Sequence, residues 1–369
     1  MKTRKWLVWL TIVGLLVFLA ACGSSSGSGS SGSGGSSGSQ STQGTSQSGG
    51  QSSGSGQSQQ SSPSPSPAAY PDHWPKRVTV AAGIMGGPWY PLMVKVSEVL
   101  MREIPGLTVN VIEGGSLANT RIINEGVDAQ MGLAYANIVY DAYEGKFDNT
   151  RMTNVRMTNA YMTSYVQFLV PKDSPIQKLE DAFDKRIGSS PRGGGPDLLW
   201  TIILEYYGLT YEDIRAKGGN VSFVDFNQQA MMMKDGQIDI GLFTGEAPHA
   251  AALEAETSVP LRAIPLDMNM INELNKKYPY LVAAELPGDA YKGMDGPVTT
   301  LAIPGVFIVN KDLPEDFVEK IVSTVMAHHE EIQGSFHFVD LLDWEHFKLG
   351  ISDDLWHPAA KKVYENRPK

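Results

Sequence analysis

The chain has 369 residues, 40 of them acidic and 30 basic, with a single cysteine. One cysteine excludes an internal disulfide framework and a multi-cysteine zinc site. With Lys2, Arg4 and Lys5 set aside, 27 basic side chains face 40 acidic ones, a balance near −13 that argues against nucleic acid or an anionic membrane surface as partner.

The first segment, residues 1–22, is read as a processing signal. Lys2, Arg4 and Lys5 form a charged start, and an apolar run follows from Trp6 to Ala20. The run is about fifteen residues long, short of the roughly twenty a membrane-spanning helix needs. It ends in Leu19-Ala20-Ala21-Cys22, similar to a bacterial lipobox, so Cys22 is expected to be lipidated and to become the first residue of the mature chain. The alternative is an uncleaved anchor helix. Either reading places the body outside the cytoplasmic membrane. Residues 23–69 are Ser, Gly, Gln, Thr and Pro with no charge and almost nothing apolar to bury. Such a segment cannot offset its ordering entropy, and the stretch 23–76 is assigned to a disordered tether.

The body reads as two tandem βαβαβ units. In the first, residues 78–82 form a strand, and a loop carrying Gly86, Gly87, Trp89 and Tyr90 leads into a helix that ends before Pro105. Residues 109–112 form the second strand. Gly114 and Gly115 turn into Ser116, read as the cap of a helix over 117–125 that Gly126 closes. Residues 128–133 form the third strand, and Ala134-Tyr135-Ala136-Asn137 opens the next helix.

The second unit repeats the pattern. A strand over 186–188 meets a loop holding Arg192, Gly193 and Gly194, and a helix with Pro196 at its start runs to Tyr207. A strand over 221–224 precedes a helix that Asn227 is placed to cap. A strand over 238–243 leads to Thr244-Gly245-Glu246-Ala247-Pro248, read as the opening of another helix. Connecting helices of this length imply parallel strands. All these loops leave strand carboxyl ends, the edge where open α/β sheets bind ligands, so two such edges should face each other across a cleft. Lobe 1 is assigned to residues 77–166 and lobe 2 to 167–258. Residues 259–369 return to lobe 1 and supply C-terminal helices.

Four blocks carry a family likeness: Gly86-Gly87-x-Trp89-Tyr90-Pro91, Gly114-Gly115-Ser116-x-x-Asn119, Asp173-Ser174-Pro175-Ile176, and Leu355-Trp356-His357-Pro358-Ala359-Ala360 with Tyr364 beyond it. In order and spacing they resemble the TAXI-branch solute-binding proteins of tripartite ATP-independent periplasmic (TRAP) transporters. That resemblance implies an α/β, two-lobed, type II periplasmic binding protein-like fold with parallel-sheet lobes, a hinge and a ligand cleft. It also implies capture of a small organic solute, a carboxylate or an amino acid, for TRAP permease subunits in the membrane. No cofactor and no metal is implied. Gly193-Gly194-Gly195-Pro196 departs from the family's hydroxyl-bearing turn, leaving backbone donors there. Ala136-Asn137 and Glu246 stand where the family has other residues.

The expected ligand residues are therefore Gly86, Gly87, Trp89, Tyr90, Ser116, Asn119, Tyr135, Asn137, Arg192, Gly193, Gly194, Thr244 and Glu246. Asn119 is read as a hydrogen-bonding group of the cleft wall, and Ser116 as a cap that also reaches ligand. One of Trp89 and Tyr90 should face the cleft and the other pack at the hinge. Arg192 either binds a carboxylate or pairs with Asp197, while Glu246 suits an ammonium group. His328 and His329 are adjacent on a predicted helix over 314–332, about 100° apart, so they cannot chelate one ion. His357 is read as a structural hydrogen-bonding group, and Met231-Met232-Met233 as core filler. No nucleophile elbow, phosphate loop or Ser/His pair supports an enzyme. An ABC-type importer subunit or a ligand sensor remains an alternative.

Overall fold

The computed structural model describes residues 70–368. Cys22, the leader and most of the tether lie outside them. Residues 70–76, assigned to the tether by composition, are instead packed on the body. The Trp74 indole donates to Asp316 at 2.8 Å and sits edge-on to Phe317, and the Tyr70 hydroxyl donates to the Pro75 carbonyl.

The chain runs through β1 (Arg77–Ala81), α1 (Trp89–Glu103), β2 (Thr108–Ile112), α2 (Ser116–Glu125), β3 (Met131–Tyr135) and α3 (Ala136–Glu144). These strands lie in the order β2-β1-β3 and are parallel, as the connecting helices require. Gly126 stops α2: its φ of 72° is left-handed, and its N–H closes on the Ile122 carbonyl. Next comes β4 (Val155–Pro171), then β5 (Arg186–Ser189), α4 (Gly195–Tyr206), α5 (Tyr211–Ala216), β6 (Asn220–Phe223), α6 (Phe226–Lys234) and β7 (Ile240–Gly245). The second unit repeats the first, with β5 parallel to both β6 and β7. Asp225, not Asn227, caps α6, because its carboxylate reaches the Gln228 N–H at 2.9 Å.

The rest comprises α7 (Ala250–Glu256), β8 (Leu261–Ala263), α8 (Met268–Lys277), β9 (Val282–Leu286), β10 (Val298–Asn310), α9 (Glu315–Ala327), α10 (His329–Gln333) and α11 (Pro358–Glu365). Two details differ from the sequence reading. Thr244 and Gly245 complete β7, and α7 starts only at Ala250, where the His249 ring accepts the Ala251 N–H. The single helix expected over 314–332 breaks at His328, whose ring sits among Arg102, Glu103 and Glu331.

The two long strands make the architecture. β4 pairs antiparallel with β10 over its first part, then with β7 and β8 over its last. β10 pairs with β9 at its start and with β3 at its end. The mixed sheet therefore reads β2-β1-β3-β10-β4-β7-β5-β6, two lobes joined through β4 and β10. Register shifts at Gly305, Val306 and Ile308 interrupt the β10–β4 ladder beside the crossing.

The larger core runs through both lobes. A smaller cluster of Leu169, Met233, Phe243, Leu261 and Tyr291 lies under one face of the second. Met233 belongs to that core, whereas Met231 is 51% exposed, so the methionine run is filler only in part. His357 is buried at the start of α11, where its Nδ1 accepts the Ala359 N–H, and burial pulls its pKa down to about 4.

Candidate functional site

The carboxyl edges of β1, β2 and β3 present the loops singled out by sequence, but much of their polar capacity is already engaged. Asn119 is fully buried. Its amide donates to the carbonyls of Ala81, Ala82 and Leu133 at 2.7–3.1 Å, and its oxygen accepts the Gly115 N–H at 3.0 Å. One turn into α2 it faces back toward the strand ends and ties β1, β3 and the β2–α2 turn together. A Cβ on Gly114 would lie 1.9 Å from the Asn119 oxygen, so glycine there makes room for this tie. Asn119 is therefore a fastener rather than a ligand group of the cleft wall. Ser116 does not cap α2 with its side chain; Gly115 holds the cap position, and the Ser116 hydroxyl accepts the Tyr135 N–H at 2.9 Å.

Trp89 starts α1 and is buried, with its indole N–H on the Met162 sulfur. Its ring packs 5.0 Å from Tyr135 and 6.2 Å from Tyr161. Of the aromatic pair, Trp89 is thus the packing residue, and Tyr90 is the half-buried one. Gly86 and Gly87 lie in a loop whose Ile84 and Met85 are 69% and 68% exposed. The Met85 N–H of that loop is held by Glu113 at 2.6 Å.

On the second lobe, Asp197 changes the expected chemistry. It is 5% exposed, and its carboxylate accepts the Gly193 N–H at 2.8 Å and the Tyr211 hydroxyl at 3.0 Å. The Gly194 N–H goes to the Pro191 carbonyl and the Asp197 N–H to the Ser190 hydroxyl. Pro196 has no N–H to give. Of the glycine donors expected to meet a ligand, those of Gly193 and Gly194 are thus taken inside the loop. Arg192 lies 3.8 Å from Asp197, with its guanidinium 3.9 Å over the Phe223 ring and 4.8 Å over Tyr211. This geometry matches the pairing alternative, with an exposed side chain stacked on the lobe-two edge.

Other predicted residues keep unused capacity. Burial, then the Glu246 carboxylate, pushes the Tyr135 hydroxyl up. Glu246 also lies 3.4 Å from His337. Its turn is fixed from behind: the Gln167 amide donates to the Gly245 and Glu246 carbonyls, and Tyr291 holds Gln167 at 2.5 Å. Thr244 sits half-buried at the end of β7.

Asn137, in the first turn of α3, lines a cavity of about 250 Å³ between the lobes. Gly195, Leu198, Leu199 and Ile202 of α4 form the opposite wall, and Ile303 of β10, Tyr278 and Tyr280 complete it. Sequence reasoning missed all of these except Gly195, and Asp141 as well; the Tyr278-Pro279-Tyr280 cluster was the one available signal. Burial raises the Asp141 pKa, partly offset by Lys146 at 2.7 Å. The structure thus brings Asn137 and the start of α4 to one cavity, and Trp89 and Tyr135 to one aromatic stack. Arg192 and Gly193 are not among the residues lining that cavity.

Among the described residues no group of three or more His, Cys, Asp or Glu is placed to hold a metal ion, and no helix is long and apolar enough to cross a membrane.

Residues 80–367 match the NMT1-like family. Among solved structures, the chain is similar to the periplasmic aliphatic sulphonate binding protein SsuA from Escherichia coli, at 11% identity and a TM-score of 0.46 over 80% of this chain and 84% of that one. It is also similar to the alkanesulfonate-binding protein SsuA from Xanthomonas axonopodis pv. citri bound to MOPS, at 15% identity and a TM-score of 0.41 over 80% and 85% of the two chains. A structure from work on glutathione import via GshT and the cystine ABC importer TcyBC of Streptococcus mutans matches at 12% identity and a TM-score of 0.40, over 70% and 94%. At these identities and scores no ligand is carried over from any of them.

Proposed function

The chain belongs to the NMT1-like family, and from that premise we propose that it is an extracytoplasmic binding protein that captures one small organic solute between its lobes and hands it to a membrane transporter. The observation that carries this reading is the cavity between α3 and α4, bounded below by the connecting strand β10. Two lobes joined by two strands can rotate about them and bury what lies between. The lining holds apolar surface from Leu198, Leu199, Ile202 and Ile303 with a few polar groups, the usual composition of a small-molecule site. Asn137, which lines that cavity, with Tyr135 and Glu246, which do not, are the groups proposed to orient the solute, a carboxylate or an amino acid.

The motif blocks support a TRAP-type secondary transporter as the recipient, and the lipobox supports an anchor at Cys22. A thermal-shift screen of carboxylates and amino acids tests the binding reading. A solute at 100 times its Kd should add roughly 2.7 kcal/mol. If no member of the panel shifts the unfolding transition, and the purified protein carries no solute by native mass spectrometry, the reading fails. Uptake in cells should collapse with the ion gradient; dependence on ATP alone would assign an ABC-type recipient instead. Cys22→Ser should leave the protein in the soluble extracytoplasmic fraction, and unchanged membrane association would refute the anchor.

A further inference from the structure

A second space adjoins the cavity between the lobes. A groove of about 650 Å³ lies beside it, and Lys146, Tyr278 and Tyr280 line both spaces. Tyr280 forms the throat. Its ring packs 5.3 Å from Tyr140 and 5.8 Å from Tyr278. The residue is 6% exposed, and its hydroxyl makes no hydrogen bond with any described residue, which leaves it free to meet a solute at the junction.

Beyond the throat the groove is walled by Tyr143 and Pro279 and reaches Arg151. The charges there are unequal in availability. Lys146 is held by Asp141 and Glu144 at 2.7 and 2.9 Å, and Lys277 by Glu205 at 3.0 Å. Arg151 makes no ion pair with any described residue: its Nε donates to the Tyr143 carbonyl and its guanidinium lies 5.2 Å from the Tyr143 ring. We propose that the solute site extends through the Tyr280 throat into this groove, and that the solute is an extended organic anion. Its polar head sits at Asn137, its apolar stretch lies along the tyrosines, and its distal anionic group meets Arg151. This rests on the binding reading above and deepens it: the combined space exceeds what a four-carbon acid fills.

The test is a series of α,ω-dicarboxylates from succinate to dodecanedioate, titrated calorimetrically into the full-length protein. Affinity should rise about three- to fourfold per added methylene until the chain reaches Arg151, the value of burying one methylene. In Arg151→Gln the advantage of the long acids over succinate should fall at least tenfold, and Tyr143→Ala should flatten the rise with length. If succinate binds and longer acids bind no better, the extension is wrong while capture between the lobes stands. If no diacid of any length binds, or if Arg151→Gln leaves the length dependence intact, the proposed solute class is wrong.

Discussion

Replacing Asn119 by alanine separates a structural from a ligand role. The side chain gives two amide hydrogens to the strand-end carbonyls of Ala81, Ala82 and Leu133 and takes one from Gly115, all in a fully buried site. Three engaged hydrogens at about 1 kcal/mol each give a loss of about 3 kcal/mol. For a body of this size each kcal/mol moves the unfolding temperature by about 2 °C, so Asn119→Ala should unfold roughly 6 °C lower without solute. The increment added by a bound solute should survive. Asn119→Asp should do no better, because its second oxygen would face three carbonyls with no hydrogen to offer. Gly114→Ala should reach a similar state by pushing the Asn119 oxygen out of place, and the double variant should be less destabilised than the sum of the singles. Differential scanning calorimetry of the parent and the four variants, with and without a binding solute, decides the matter. An Asn119→Ala protein that unfolds within about 1 °C of the parent but has lost its solute increment would refute this assignment.

Asn137→Ala should do the reverse, weakening a bound solute by about 1–3 kcal/mol while leaving the solute-free unfolding temperature near the parent's; titration calorimetry and scanning calorimetry together check both halves. Arg192→Ala should change affinity less than twofold, since the guanidinium stacks on Phe223 beside Asp197; a tenfold loss would restore Arg192 as a carboxylate ligand. His357 has a folded pKa near 4, below its usual value of 6.5, so the unfolded chain binds more protons between these limits. Stability held by its neutral form is present above pH 6.5 and lost as pH falls toward 4, by about 3 kcal/mol in total. His357→Asn keeps a capping oxygen, and its urea midpoint should fall less steeply with pH over that window; parallel slopes would remove His357 as the cause.

The repeated units were legible because hydrophobic runs, glycine stops and helix starts are local features, and β1 to β3 and β5 to β7 lie close to where those features put them. The strands that join the lobes were not. β4 carries Thr158, Asn159, Thr163, Ser164 and Gln167, all buried; Thr158 donates to Asn159 and to the Phe307 carbonyl of β10, and Gln167 is held by the turn after β7 and by Tyr291. Neither alternation nor a continuous apolar run marks such a strand. The site residues divide for a related reason. Sequence places Asn119 and Asn137 alike, each at the start of a helix after a strand. Only the rotation of the helix about its axis turns Asn119 toward the strand-end carbonyls and Asn137 toward the opposite lobe. Tyr280 belongs to the same cavity as Asn137 but stands far along the chain, and no local pattern joins them.

The start of α4 shows how one side chain redirects recognition. A glycine-rich loop entering a helix ordinarily offers open N–H groups and a positive dipole end to an anion. Here the anion is supplied by the chain itself. The Asp197 carboxylate, buried in the first turn, occupies the Gly193 donor and anchors on the Tyr211 hydroxyl. A ligand carboxylate brought to the same place would meet a fixed negative charge in a poorly solvated setting, where repulsion is screened little. Arg192, 3.8 Å from Asp197, answers that charge from the solvent side. In the proposed binding mode the polar recognition of a solute is therefore displaced from the glycine loop toward lobe one, where Asn137 and Tyr135 retain hydrogen-bonding capacity. The α4 wall then contributes Leu198, Leu199 and Ile202 alongside Thr201 and Glu205. In that binding mode the apolar part of the α4 wall, facing Asn137 across the hinge, orients an amphipathic solute, because only one of its two orientations leaves no polar group stranded on closure.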